Sequence, residues 1–141
     1  MKNLILTVLL ASCPFFANAK LTTTSCNEGP ISCDSLVDYG SSVIIVNPKI
    51  DIGDEKALFR AFHNYSSVDT AEKKLAAHLL CRKLGYYTGD MLETQNSQKF
   101  FHRYKIVELG EVANDIGVIG VSDSPWWAIE KVRCEKESLN P

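Results

Sequence analysis

Most of the signals that announce a chemistry are missing from this 141-residue chain. It has no excess of basic residues. Fifteen lysines and arginines stand against seventeen acids, a formal net charge of -2 at pH 7, which argues against a nucleic-acid partner. The three histidines, His63, His78 and His102, lie in separate segments without an i, i+4 histidine or acid partner, so no helical metal pair is set up. The cysteines lack a C-x2-C knuckle, which removes the common structural zinc sites. Gly117-Val118-Ile119-Gly120 lacks the lysine and the following helix of a phosphate loop. No internal repeat or low-complexity tract appears. The residues thus call for no cofactor and no metal.

A long apolar run is missing too. Leu4 to Ala11, even extended through Phe15 and Phe16, is too short for a permanent bilayer span. With Lys2 before it and Ala17-Asn18-Ala19 after it, residues 1–19 read as a signal peptide cleaved before Lys20. Leu10-Ala11-Ser12-Cys13 offers a second reading, a lipobox that would anchor the protein through lipid on Cys13. Pro14-Phe15-Phe16 prolongs the apolar region where a lipoprotein turns polar, which favours soluble cleavage. The expected location is secreted or periplasmic, with the lipid anchor as the alternative. Removing nineteen residues from 141 leaves 122, a common size for one domain. That domain is expected over residues 20–134, with 135–141 as a flexible tail.

Four cysteines remain after cleavage, Cys26, Cys33, Cys81 and Cys134, an even number in a chain bound for an oxidising compartment. Three pairings are open. Gly29-Pro30 can turn the chain back between Cys26 and Cys33, which pairs them locally and leaves Cys81 with Cys134 by elimination.

Hydrophobic patterning gives an α+β chain: a small twisted, mostly antiparallel sheet packed on one main helix. Ser42 to Val46 is a short β-branched run stopped by Pro48. Asp54 to Tyr65 is ambiguous and leans to a strand over Ala57 to Phe62. Asn64-Tyr65-Ser66 matches the glycosylation acceptor pattern. The helix is expected from Thr70 to Leu84, capped by Asp69 with Glu72 and closed by Gly85. Leu75, Ala76, Ala77, Leu79, Leu80, Cys81 and Leu84 form its apolar stripe. Tyr86 to Gln98 reads as loop. Lys99 to Leu109 alternates as a strand, with Phe101 and Val107 on one face and Tyr104 and Ile106 on the other. Val118 to Val121 is a further short strand. Trp126 to Cys134 is the last, with Trp126, Ala128, Val132 and Cys134 sharing a face.

Two of these segments resemble the scavenger receptor cysteine-rich domain family. Ala76 to Tyr86 (AAHLLCRKLGY) is similar to its helix signature, matched at Cys81, Arg82, Leu84, Gly85 and Tyr86, and Trp127 to Cys134 (WAIEKVRC) looks like its Val-x-Cys strand. The match covers about a fifth of the expected domain. Family members carry six or eight cysteines and a Gly-Thr-Val-Cys strand before the helix, and this chain has neither. The resemblance implies an extracellular ligand-binding or adhesion module in place of an enzyme. Some members bind calcium through loop acids. Asp115 and Asp123 are loop acids here, and solvated turn residues are the simpler reading.

Candidate sites follow from this. His78, one helical turn from Arg82, reads as structural. A Cys-His nucleophile pair would need a thiolate that disulfide pairing removes. Trp126-Trp127 is the strongest surface signal, because tryptophan is enriched at recognition hot spots. Alternation puts Trp126 inside with Val132 and Trp127 at least partly exposed, as the candidate contact to a protein or glycan ligand. The leading expectation is an exported, non-enzymatic binding domain. A secreted inhibitor or effector of a host or competitor protein is one rival, and a small hydrolase with an unrecognised site is the other.

Overall fold

Proline cannot donate to a sheet ladder, and at Asn47-Pro48 the chain leaves one sheet for another. The computed structural model describes residues 22–24, 26–62, 70–96, 104–123 and 127–137. The expected leader with Cys13, Asn64-Tyr65-Ser66, and Asp69, His63, Phe101, His102 and Trp126 lie outside them. One sheet has the order β1 (Thr22–Thr24), β4 (Ser35–Asp38), β5 (Ser42–Val46), β11 (Trp127–Glu135), β8 (Thr88–Asn96), antiparallel throughout. The other runs β10 (Asp115–Ser122), β9 (Lys105–Val112), β7 (Glu55–Phe59), β6 (Lys49–Ile52), β3 (Ile31–Ser32), β2 (Asn27–Glu28). All its neighbours are antiparallel except the β7–β9 pair.

Among the described residues two sheets therefore replace the single small sheet expected, while the strand-rich α+β character, the one helix α1 (Thr70–Lys83) and the two disulfides stand. The reason shows in β7, where Ala57, Leu58 and Phe59 are all buried and both faces need cover. On one face Ala57 and Phe59 join Val43, Ile45, Val107, Val132 and the helix residues Ala77, Leu80 and Cys81 in the main core. On the other Leu58, Ile106 and Ala128 form a second cluster with Tyr104 against it. The alternation expected around Val107 and Ile106 is borne out, although β9 starts at Lys105 and continues to Val112. Strand β7 itself stops at Phe59, short of the expected Phe62, and Arg60 makes a single bridge to Ala128.

The helix ends as its sequence dictates. Gly85 takes φ 87°, Tyr86 N–H donates to the Cys81 carbonyl at 2.9 Å and Gly85 N–H to the Arg82 carbonyl at 3.0 Å, a Schellman closure. Leu75 is a correction to the expected apolar stripe. At 3.6 residues per turn it lies about half a turn from the buried Ala77 and Cys81, and it is 57% exposed.

Two further corrections concern the strands. Tyr86 to Gln98, expected as loop, contains β8, which is paired to β11 along its whole length. Its polar side chains have partners across the ladder, Asp90 with Arg133 at 3.1 Å and Glu93 with Lys131 at 2.6 Å. In β11 the register shifts between Ile129 and Lys131. That irregularity puts Trp127 and Ile129 on the main-core side with Val132 and Cys134, and leaves Ala128 in the second cluster. The unbroken alternation that grouped Ala128 with Val132 and Cys134 fails there.

Both expected disulfides are present, Cys26–Cys33 and Cys81–Cys134, with Cα–Cα distances of 5.2 and 5.4 Å. Gly29-Pro30 makes the turn inside the first, and the second ties the helix to the last strand.

Candidate functional site

Strands β9 and β10 form a long hairpin whose turn residues, Ala113 and Asn114, have φ of 47° and 70°. Two successive positive φ values in a two-residue loop are those of a type I′ turn, which matches the twist of the strands it joins. Across the hairpin Ile116, Val118 and Val121 lie opposite Glu111, Leu109 and Val107, while Asp115, Gly117, Gly120 and Ser122 lie opposite Val112, Gly110, Glu108 and Ile106. Ile119 is the extra residue of a bulge between them. Each set shares a face, since directly opposed residues point to the same side. A Cβ on Gly110 would stand 2.6 Å from Ile119 Cδ1, so the isoleucine lies across a glycine that leaves room for it.

This hairpin carries much of the exposed apolar surface. Val112 is 49% exposed, Val118 37%, Ile119 55% and Val121 54%. Val118 and Val121 lie on one face of the hairpin and Val112, with Ile119 over Gly110, on the other, so the edge is apolar on both sides. Strand β10 is also outermost in its sheet, with no strand beyond it among the described residues. From Ile116 to Ser122 it has no charge and no proline, the usual guards of an exposed edge. The edge strand β8 is guarded by its ion-paired Asp90 and Glu93.

The helix borders this hairpin with two clefts. An apolar one of about 80 Å³ lies between Leu75, Ala76 and Leu79 of α1 and Phe59, Leu109 and Ile129. The Arg60–Glu108 pair, 3.2 Å apart, forms part of its wall. A polar one of about 340 Å³ is lined by His78, Arg82, Glu111, Asn114, Asp115 and Ile116. There His78 Nδ1 lies 3.0 Å from Thr88 Oγ1. The Ile116 amide, donating to Asp115 at 2.7 Å, and the Lys83 ammonium at 3.5 Å hold that carboxyl below its ordinary range.

The sequence-derived candidates fall apart in space or into packing roles. Asp115 and Asp123 lie at opposite ends of β10, about 25 Å apart at the rise of a strand. Among the described residues no three His, Cys, Asp or Glu side chains converge as a metal would require. Trp127 is half-buried, packs against the main core and stacks on Phe62 with ring centroids 5.7 Å apart. The short strand expected at Val118 to Val121 is only the second half of β10, and the Ala113-Asn114 turn that joins it to β9 carries no glycine signal. The signal available was the uncharged run between Asp115 and Asp123. No helix among the described residues is long and apolar enough to cross a membrane. No family model, no curated protein and no solved structure matches this chain.

Proposed function

We propose that this protein is an exported, non-enzymatic interaction domain that recognises a partner protein through the β9–β10 hairpin. The observation that carries the reading is the set of exposed Val112, Val118, Ile119 and Val121, on both faces of an edge hairpin whose outer strand has no charge or proline from Ile116 to Ser122. The occupant it fits is an extended, uncharged, β-branched segment, which adds to a sheet edge by backbone hydrogen bonds and seats alternate side chains. Export is supported by the two disulfides, which persist in oxidising compartments. The resemblance of Cys81 to Tyr86 and Trp127 to Cys134 to scavenger receptor cysteine-rich domains points the same way, toward binding.

Trp127 is the second candidate contact. The test is capture of partners from the protein's own extracellular or periplasmic milieu by wild type, Val118→Lys and Trp127→Ala, with thermal melts of each. Val118→Lys is expected to lose capture with an unchanged melting temperature. Trp127→Ala is expected to lose about 2 kcal/mol of stability, because a half-buried stacked ring gives up packing. Capture lost in Trp127→Ala at full stability, and kept in Val118→Lys, would move the interface to the tryptophan. Turnover of a peptide or glycan abolished by one His or Asp substitution would replace the binding reading with the hydrolase.

A further inference from the structure

We infer that one partner of the β10 edge is a second copy of this chain, paired antiparallel with it in a closed two-fold dimer. This rests on the hairpin being an interaction surface and adds its occupant. The sequence of β10 is nearly a palindrome in residue type: Ile116-Gly117-Val118 is followed by Ile119-Gly120-Val121. Laid antiparallel about Val118, with the bulged Ile119 outside the ladder, Ile116 meets the partner copy's Val121, Gly117 meets its Gly120 and Val118 meets its own counterpart. β-branched side chains thus oppose β-branched side chains, which is the favourable cross-strand pairing, and glycine opposes glycine. At the ends Asp115 meets Ser122 and Asn114 meets Asp123, so no acid faces an acid.

The bulge decides whether this register is allowed. Opposed residues must point to the same side of the combined sheet, and in an unbroken strand Ile116 and Val121 would point to opposite sides. The extra residue at Ile119 shifts the second half, so that Ile116 and Val121 share one face and Asp115, Gly117, Gly120 and Ser122 share the other. A bulge ordinarily protects an edge by twisting it away. Here it makes the strand complementary to itself. A two-fold contact of this kind is isologous and closes at two copies.

Sedimentation equilibrium on the oxidised protein from micromolar to millimolar concentration tests this. The wild type is expected to approach twice the monomer mass. Val121→Lys and Ile116→Glu are each expected to weaken the dimer by at least about tenfold, and their mixture to regain it, because the new carboxylate and ammonium meet only across the proposed register. Val121 is exposed, so at a dilution where both are monomeric Val121→Lys is expected to melt with the wild type. A wild type that stays monomeric, a dimer undiminished in Val121→Lys, or growth to open-ended assemblies would each overturn the inference. If the wild type is monomeric while Val118→Lys still abolishes partner capture, the dimer is wrong and the binding reading above stands.

Discussion

Replacing Cys81 and Cys134 together by alanine is expected to lower the stability of the fold by about 2 to 5 kcal/mol. The bridge spans 53 residues in sequence, and in the chain-entropy account closing so long a loop is worth about 4 kcal/mol. Its surroundings add to that. Both cysteines are fully buried, between the inner face of α1 and the strand β11 that forms much of the core. Removing the sulfurs therefore also leaves unfilled volume among Leu80, Val132 and their neighbours. The Cys26–Cys33 bridge spans only 7 residues around a turn that Gly29-Pro30 already favours, so its removal is expected to cost less. Urea titration of both double variants measures the difference. Equal losses would mean that the helix is not held to β11 through this link.

The second large effect is expected at Gly89, where α1 lies directly on the backbone of β8. A Cβ there would overlap Cys81 Sγ and stand 2.9 Å from the Ala77 carbonyl oxygen. Neither can yield, one being in the disulfide and the other in the helix backbone. Gly89→Ala is expected to destabilise by about 2 to 3 kcal/mol, the usual scale of overpacking. Gly120→Ala is the control. Its Cβ would stand 3.7 Å from the flexible Glu108 carboxylate, an ordinary contact, and its thermal melt is expected to follow the wild type. A Gly89→Ala variant that melted like Gly120→Ala would contradict the packing described for α1 on β8.

These two sites mark where the sequence was legible and where it was not. The helix could be read closely, because Gly85 and the Ala77, Leu80, Cys81, Leu84 spacing are local signals that tertiary structure did not override. The disulfides followed from parity and one turn. Strand β8 was invisible because Thr88 to Asn96 is polar and glycine-containing, and what makes it a strand is non-local: its ladder with β11, its ion pairs to Lys131 and Arg133, and a glycine that admits the helix. The face of Trp127 was obscured by the register shift in β11, which alternation within one strand cannot reveal. The hairpin was half visible. Its apolar run was present, but Ala113-Asn114 lacks the glycine that usually announces a type I′ turn.

The central claim is that recognition takes place on the β9–β10 edge. Amide hydrogen exchange across the whole chain, with and without the captured partner, tests it most directly, since an edge strand that gains hydrogen bonds exchanges more slowly. Binding is expected to slow exchange over Ile116 to Ser122 more than anywhere else in the protein. Protection centred on Trp127 or on the β8 edge, with β10 exchanging as in the unbound protein, would contradict it.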